Sequence, residues 1–239
     1  MRLLGYNSTS LITGSHHRVV EEMKSNRKIK DAIYEQVAHI AKAAANSKRL
    51  ELIEILCQAP KTVQALATES DISIKLASAH LKELRVAGLV EAQRKGKHVF
   101  YKVANEKVSN FWVSTRLLAE DRSIVLQNTL QRMSENLHEF KPTSWTELLE
   151  KAKTKDLIII DVRPVNEFEA AHLPHAQSLP LEQLKTRFTE LPKVKTIIAY
   201  CRGPYCFWAQ EAVALLRKEG YHAFQLRDGV AEWQLAVRA

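Results

Sequence analysis

The 239-residue sequence lacks long hydrophobic segments and is poor in cysteine. A membrane helix needs about 18 or more consecutive apolar residues, whereas the longest apolar runs here, such as residues 157–160, have the length of a strand. The N-terminus has no continuous apolar segment of the kind that marks a secretory signal. These absences exclude a membrane-spanning protein and favour a cytoplasmic one. With only three cysteines a disulfide scaffold is also excluded, and we expect reduced thiols that are available for chemistry.

The charge of the chain is positive and unevenly distributed. Residues 1–140 carry a net charge of +6, and residues 141–239 carry only +2. The segment from Lys75 to Lys102 holds seven cations and two carboxylates, which is the kind of excess that contacts with DNA phosphates need. The charge distribution therefore predicts different functions for the two halves of the chain.

Changes of pattern along the chain predict two domains. We interpret residues 1–26, which lack sustained periodicity, as a mobile leader. Residues 27–139 are predicted to be mainly helical, with one continuous apolar stripe near their start. Residues 140–143 are interpreted as a linker because a proline interrupts the preceding helix. Residues 144–239 alternate short apolar strands with helices, which predicts an α/β domain with a parallel sheet.

The order of elements in the first domain predicts a winged helix-turn-helix. A short helix over 63–67, a polar turn, a helix that Ser73 caps and Gly88 ends, and a hairpin with a cationic tip follow one another. The capped helix fits the major groove of double-stranded DNA, while the hairpin cations would contact phosphates. We expect the DNA-binding residues to be Lys75, Leu76, Ser78, Ala79, His80 and Lys82 on the helix and Arg94, Lys95 and Lys97 on the hairpin. A winged helix that contacts only other proteins is the alternative.

Two helices of this domain have apolar stripes that a small domain cannot cover. One lies at about residues 30–45, and the other is predicted as a single long helix over 106–138. An uncovered apolar surface of that length indicates a partner subunit. We therefore expect a homodimer that binds an inverted-repeat DNA site.

Three stretches of the first domain resemble one family of regulators. They are residues 73–82 (SIKLASAHLK), residues 87–90 (AGLV) and residues 96–101 (GKHVFY). Together they resemble the ArsR-type family of small dimeric transcription factors, which implies DNA binding that an effector releases. Thr62 and Gln64 stand where the metalloid-sensing members have paired thiols, so no metal site is expected in this domain.

A cysteine in a loop is the clearest chemical feature of the second domain. Cys201 directly follows an apolar strand, where sites form in open α/β sheets, and a helix is expected to begin near Tyr205. The backbone N–H groups of the loop can surround the Cys201 sulfur, lower its pKa and stabilise a persulfide. Arg202 adds a positive charge for an anionic sulfur donor. Cys201 is the predicted nucleophile, and the predicted substrate-binding loop consists of Arg202, Gly203, Pro204, Tyr205 and Cys206.

Four motifs of the second domain resemble the rhodanese sulfurtransferase family. They are residues 161–168 (DVRPVNEF), 172–176 (HLPHA), 201–206 (CRGPYC) and 228–233 (DGVAEW). The resemblance implies that Cys201 accepts sulfane sulfur from thiosulfate or a persulfide and passes it to a thiophilic acceptor. It also implies that Asp161 and Arg163 order the site, and it implies no cofactor.

Cys206 departs from the family pattern, because many members end the loop with arginine or another polar residue. It is either a small residue that packs inward or a resolving thiol that attacks the Cys201 persulfide. The fusion of two such domains leads to two hypotheses: a transcriptional regulator that senses sulfane sulfur, or a sulfurtransferase whose winged helix serves localisation or autoregulation. Metalloid sensing is disfavoured because only two thiol ligands are visible.

Overall fold

The computed structural model describes residues 10–134 and 138–237. Residues 1–9 of the predicted leader and residues 135–137 of the predicted long helix lie outside this described part. The chain separates into two compact units, one that ends at Asn46 and one that begins at Ser47. Within the described residues, no helix is both long and apolar enough to span a bilayer.

The first unit contains one helix, α1 (Ser10–Ala44), which begins earlier than the sequence pattern predicts. Residues 10–26, assigned above to a mobile leader, are helical, because they contain no proline and only one glycine to interrupt the helix. Large side chains of the predicted apolar stripe are exposed, such as Ile33 at 58% and Val37 at 62%, whereas Ala44 at the end of the stripe is buried. Helix α1 therefore extends through most of the segment interpreted above as a leader.

The second unit begins with a winged helix, as the sequence predicts. Its first elements are α2 (Ser47–Leu56), β1 (Lys61–Thr62), α3 (Val63–Glu69), α4 (Ile74–Val86), β2 (Val90–Lys95) and β3 (His98–Val103). The strands form an antiparallel sheet in the order β1-β3-β2. Ser73 caps α4 by accepting a hydrogen bond from the Leu76 N–H at 3.2 Å. Gly88 follows this helix with a φ of +72°, a conformation that favours glycine.

A serine interrupts the long helix that the sequence predicts over 106–138. Helix α5 (Glu106–Arg122) ends before Ser123, and helix α6 (Ile124–Ser134) begins after it. The Ser123 backbone is extended, with φ −101° and ψ 103°, and its hydroxyl accepts a hydrogen bond from the Leu126 N–H at 3.3 Å. This side chain caps a new helix, so the prediction of one continuous helix is wrong.

The α/β domain has a five-stranded parallel sheet, which confirms the predicted fold class. Its strands are β4 (Glu139–Phe140), β5 (Leu157–Asp161), β6 (Gln177–Ser178), β7 (Thr196–Tyr200) and β8 (Ala223–Leu226), and its helices are α7 (Trp145–Lys153), α8 (Val165–Ala170), α9 (Leu181–Arg187), α10 (Trp208–Lys218) and α11 (Val230–Ala236). The strand order is β4-β8-β7-β5-β6. Phe140, assigned above to the linker, belongs to β4 and packs against Phe224, with 6.3 Å between ring centroids. Helix α10 begins at Trp208 rather than near Tyr205.

Both faces of this sheet are covered, which explains its continuous apolar strands. In β7, Ile197 and Ala199 belong to the core on one face, while Ile198 and Tyr200 belong to the core on the other. Strand β7 is the middle strand of the sheet. Its carboxyl end therefore places Cys201 at the centre of the edge where sites form in open α/β sheets.

Candidate functional site

Cys201 lies at the end of β7, and its side chain is 2% exposed. Its sulfur lies 3.3 Å from the carbonyl oxygen of Cys206 and 4.0 Å from that of Gly203. Backbone hydrogen bonds from Gly203 and Ala209 also reach its sulfur. The structure thus places a set of backbone N–H groups around Cys201, and the first turn of α10 contributes one of them.

The second thiol of the loop, Cys206, shares this arrangement. Its sulfur forms a hydrogen bond with Cys201 and accepts backbone hydrogen bonds from Arg202 and Trp208. Trp208 and Ala209 are the first two residues of α10, where N–H groups have no partner within the helix. The Cys201 sulfur therefore accepts a hydrogen bond from the Ala209 N–H, and the Cys206 sulfur accepts one from the Trp208 N–H. The N-terminal end of a helix stabilises negative charge on both sulfurs.

The two thiols differ in acidity. Burial raises the pKa of Cys201, and the neighbouring Cys206 raises it further. The hydrogen bond from Cys201 lowers the pKa of Cys206 to about 7; burial opposes this effect, while backbone hydrogen bonds and the charge of Arg202 support it. In this conformation the more acidic thiol is Cys206, whereas the sequence analysis expects it to be Cys201. The main cause is the hydrogen bond between the two thiols, because the sequence shows the loop but not this contact.

The segment beneath the loop leaves no space for an added side chain. A Cβ on Gly229 would lie 2.7 Å from the carbonyl oxygen of Cys201 and 2.9 Å from that of Arg202. The Gly229 N–H donates to Glu232 Oε2 at 2.9 Å. Burial raises the pKa of Glu232, and the charge of Arg116 opposes this effect. The backbone of residues 201–206, which we call the sulfur loop, therefore packs directly on the last of the four motifs.

Asp161 and Arg163, predicted to order the site, form an ion pair in which both side chains are 0% exposed. Arg163 Nη2 lies 2.6 Å from Asp161 Oδ2, and the Tyr200 hydroxyl donates to the same oxygen at 2.5 Å. Arg163 also donates to the Ala171 carbonyl at 2.7 Å and to Gln58 Oε1 of the winged helix at 2.8 Å. The pair joins two strand ends beside the loop and contacts the other domain.

Four charged side chains connect the sulfur loop to the winged helix. Arg202 pairs with Glu167 and, at 2.5 Å, with Glu69. Lys61 pairs with Glu69 at 2.9 Å and with Glu167 at 2.8 Å. We call these four residues the ionic network. Because Lys61 precedes α3 and Glu69 ends it, the network contacts both ends of the helix that comes before α4, the predicted DNA-binding helix.

Arg202 has a different environment from the one that the sequence analysis expects. Its guanidinium binds the carboxylates of Glu69 and Glu167 and lies over the Trp208 ring, 4.5 Å from the ring centroid. Its carbonyl oxygen accepts a hydrogen bond from Gln58 Nε2 at 3.4 Å. In this conformation the charge of Arg202 serves the contact between domains instead of attracting a sulfur anion.

A second group of contacts links the loop to helix α5. Tyr205 packs edge-on against Trp112, with 6.4 Å between ring centroids, and its hydroxyl forms a hydrogen bond with Glu120. The side chain of Arg116 is 1% exposed and pairs with Glu120 at 2.6 Å and with Glu232 at 3.1 Å. The loop is therefore held between the α/β domain and two helices of the winged helix, α3 and α5.

Two cavities reach the sulfur loop, and Cys206 lines both. The smaller, of about 320 Å³, lies between the loop and helix α2 of the winged helix and is also lined by Glu51, Glu54, Glu69 and Glu211. The larger, of about 640 Å³, lies toward α6 and β4. Cys201 is not among the described residues that line these two cavities.

The predicted DNA-binding residues lie on the outer surface of α4 and on the hairpin of β2 and β3, which we call the wing. The opposite side of α4 buries Ala77, Leu81 and Leu84 in the domain core. His80 is partly buried, and burial, followed by the charge of Arg49, lowers its pKa. The exposed members of the predicted set are Lys75, Leu76, Ser78, Ala79, Lys82, Arg94, Lys95 and Lys97.

Family models match both halves of the chain. Residues 46–92 match the arsR family of bacterial regulatory proteins, and residues 144–236 match the rhodanese-like domain. The HTH-type transcriptional regulator Rv0324 of Mycobacterium tuberculosis is 35% identical over 211 residues, which cover 87% of this chain and 91% of that protein. The chain belongs to the ArsR family of transcriptional regulators. Its C-terminal part is a rhodanese domain, so both families identified in the sequence are confirmed.

Two further relatives match shorter parts of this ArsR-family regulator. A sulfurtransferase of Allochromatium vinosum is 31% identical over 83 residues, which cover 34% of this chain and 76% of that protein. The homodimeric winged helix-turn-helix DNA-binding domain Mb0332 of Mycobacterium bovis is 36% identical, covers 39% of this chain and 87% of that chain, and superposes with a TM-score of 0.38.

The residues that join the two domains of the regulator lie outside the motifs that the sequence shows. Gln58, Lys61 and Glu69 contact the sulfur loop or its neighbours, and Arg116 contacts the last helix. In the sequence these are ordinary polar residues outside any motif, so a single sequence carries no signal for them. Glu232 is different, because it lies within a motif that the resemblance to rhodanese already marks.

The third cysteine, Cys57, stands apart from the sulfur loop. It is partly buried, and burial raises its pKa to about 12, although a hydrogen bond with Ser109 opposes the shift. No group of three or more His, Cys, Asp or Glu side chains within residues 10–134 and 138–237 is placed to hold a metal ion. The reactive chemistry of the described structure therefore concentrates at Cys201 and Cys206.

Proposed function

We propose that this ArsR-family regulator binds an inverted-repeat DNA site as a homodimer, and that sulfane sulfur held by Cys201 and Cys206 changes its affinity for DNA. The observation that carries the proposal is the ion pair between Arg202 of the sulfur loop and Glu69 at the end of α3, with 2.5 Å between the paired atoms. A chemical change in the loop thus has a direct contact through which it can alter the DNA-binding domain.

Shape and charge support DNA binding by the winged helix. Helix α4 presents Lys75, Ser78 and Lys82 to solvent, and the wing presents three further cations near its tip. Side chains on an exposed helix of this kind read base edges in the major groove, while wing cations bind phosphates and fix the position of the protein.

Exposed apolar side chains support the homodimer. On α1, Ile33 is 58% exposed and Val37 is 62% exposed; where α5 meets α6, Leu118, Ile124 and Val125 are 62%, 71% and 77% exposed. Burial of such surfaces stabilises an assembly by roughly 25 cal/mol per Å² of apolar area. Light scattering at micromolar concentration is expected to give the mass of a dimer, and the mass of a monomer would contradict this part of the proposal.

The tight packing around the two thiols supports a sulfur response. A bridge between Cys201 and Cys206 replaces their hydrogen bond with covalent sulfur bonds of about 2.05 Å each. Arg202 lies between the two cysteines in the chain, so movement of the loop displaces its backbone. This displacement changes the distances between Arg202 and its partners in the ionic network. Sulfur can shift DNA affinity only through such a differential interaction with two states of the protein.

A DNA titration of one protein preparation, first reduced and then treated with polysulfide, tests the proposal. The probe is a duplex selected from a random library with the reduced protein. We expect sulfur to weaken binding by about 5-fold to 150-fold, the usual range for coupled sites. The double variant Cys201→Ser/Cys206→Ser is the control and should not respond. If sulfur loads but affinity is unchanged, the regulator hypothesis fails in favour of the sulfurtransferase hypothesis.

A further inference from the structure

A sulfur donor has different access to the two thiols of the loop. Cys201 is 2% exposed, whereas Cys206 is partly exposed and lines both cavities. We propose that Cys206, rather than Cys201, receives sulfur first, and that its donor is an uncharged or cationic polysulfide that enters the smaller cavity. This inference rests on the proposed function, because it concerns the same sulfur loop.

The choice of donor follows from the charge of the smaller cavity, which has a volume of about 320 Å³. Four carboxyl groups line this cavity, while Arg202 is the single cation among its described lining residues. Arg202 is paired with Glu167 and Glu69, and two nearby cations are paired as well, Lys48 with Glu51 and Lys61 with Glu69. These pairs also neutralise Glu51 and Glu69, so the remaining negative charge of the lining comes from Glu54 and Glu211. A dianion such as thiosulfate therefore meets carboxyl groups and no unpaired cation among the described lining residues.

The apolar part of the cavity wall suits the carbon groups of a polysulfide. Ile55, Phe207 and Trp208 line the cavity beside Cys206. Burial, followed by the charge of Cys206, raises the pKa of Glu54 to about 7, so this carboxyl is partly neutral at neutral pH. Ligand sites commonly combine such an apolar wall with a small number of placed polar groups.

Cys206 is also the thiol that its surroundings activate. The Cys201 thiol and the backbone N–H groups of Arg202 and Trp208 form hydrogen bonds with its sulfur. Among the charged groups that face it, Arg202 favours the thiolate, while Glu54 on α2 disfavours it. The thiolate is the reactive form in exchange with sulfur–sulfur bonds.

The transfer from an organic trisulfide, RS–S–SR, balances without an added oxidant. The Cys206 thiolate attacks the central sulfur and displaces RS⁻, which takes a proton from solvent and leaves Cys206–S–S–SR. The Cys201 thiol then attacks the transferred central sulfur, and its proton leaves with the second RS group as RSH. The product is a Cys206–S–S–S–Cys201 bridge, which holds one sulfane sulfur atom. Both steps are thiol–disulfide exchange.

The experiment compares three donors and three forms of the full-length protein. The donors are cysteamine trisulfide, which is cationic, glutathione trisulfide, which is anionic, and thiosulfate; the proteins are wild type, Cys201→Ser and Cys206→Ser. Mass spectrometry of alkylated peptides at early times locates the sulfur. We expect Cys201→Ser to load at Cys206 at the wild-type initial rate and Cys206→Ser to load at least tenfold more slowly. We expect cysteamine trisulfide to react about tenfold faster than glutathione trisulfide, after correction for their rates with free cysteine.

A charge variant separates the effect of the cavity from the intrinsic reactivity of the donors. Glu51→Gln/Glu211→Gln should reduce the preference for the cationic donor. Glu182→Gln, an exposed carboxylate outside both cavities, should leave it unchanged. Wild-type loading rates at Cys201 in Cys206→Ser, or equal rates for the two trisulfides, would overturn the inference. Failure of the proposed function shows separately, as unchanged DNA affinity of a protein that has been loaded with sulfur.

Discussion

The Nη2 atom of Arg202 lies 2.5 Å from the Oε2 atom of Glu69, although 133 positions separate the two residues. Arg202 is the neighbour of Cys201 in the sulfur loop, and Glu69 is the last residue of α3. Helix α4, which carries the predicted contacts with DNA bases, begins at Ile74 after a short turn. One salt bridge thus connects the rhodanese site with the helix-turn-helix of the same chain.

Glu69→Gln is expected to uncouple the two sites. The glutamine removes the charge that Arg202 and Lys61 share, while both cations keep Glu167 as a partner. The sulfur-induced loss of DNA affinity should shrink at least fivefold, because coupling between sites commonly amounts to about 1–3 kcal/mol. The measurement is the dissociation constant for DNA before and after sulfur loading.

The matched control for this variant is Glu190→Gln. Glu190 forms an exposed ion pair with Arg187 at 2.9 Å, and surface pairs of this kind contribute little. This variant should respond to sulfur as the wild type does. A Glu69→Gln protein with the full wild-type response would show that the ionic network is not the route of coupling.

Gly229→Ala is expected to damage the sulfur loop selectively. Its Cβ would approach the carbonyl oxygen of Cys201 to 2.7 Å, so the backbone of the loop must shift. We expect a loss of about 1–3 kcal/mol in the free energy of unfolding, as for other overpacked sites, and slower sulfur loading. Urea unfolding and mass spectrometry check the two effects, and DNA binding by the reduced variant checks its fold. Unchanged stability together with unchanged loading would refute the close packing.

Neutralising the wing should reduce the salt dependence of DNA binding. In the triple variant Arg94→Gln/Lys95→Gln/Lys97→Gln, the slope of log K against log salt should fall by up to about 2.7, at about 0.9 per phosphate contact. A control with the same loss of charge is Lys153→Gln/Lys155→Gln/Lys193→Gln, which alters exposed residues of the rhodanese domain. Equal slopes for the wing variant and the wild type would show that the wing does not contact the DNA backbone.

The pH dependence of the alkylation rate of Cys206 should show a thiol pKa below the ordinary value. The hydrogen bond from Cys201 lowers the pKa of Cys206 from an ordinary 9.0 to about 7, and only the thiolate reacts with iodoacetamide. The rate should therefore rise with pH to a midpoint of about 7. Cys201→Ala removes the hydrogen-bond donor and should move the midpoint upward, while Cys201→Ser keeps a donor and serves as the control. A wild-type midpoint near 9 would contradict the hydrogen-bonded pair.

Local features of the regulator could be predicted from the sequence because their causes are local. Ser73 and Gly88 mark the two ends of helix α4 through capping and backbone conformation. A continuous apolar run predicts strand β7, and the strand predicts the position of Cys201. The break at Ser123 is also a local effect, yet the apolar spacing around it continues and masks the capping signal.

Contacts between the domains could not be predicted, because their causes are distant in the chain. Lys61 and Glu167 are 106 positions apart, and Gln58 and Arg163 are 105 positions apart. A lysine such as Lys61 is normally exposed, whereas here it is 5% exposed and pairs with Glu167 of the α/β domain. The acidic thiol could not be located from the sequence either, because the hydrogen bond between Cys201 and Cys206 depends on how the loop folds.

The pairing of Arg116 with Glu232 has a consequence for synthesis of the chain on the ribosome. Arg116 is a buried cation of the winged helix, and one of its carboxylate partners lies 116 positions later. At about 5–20 residues per second, translation needs roughly ten seconds to reach that partner. During this interval Glu232 has not yet been synthesised, so Arg116 of the nascent winged helix lacks this ion-pair partner. The final packing of Arg116 is therefore completed after translation of the rhodanese sequence.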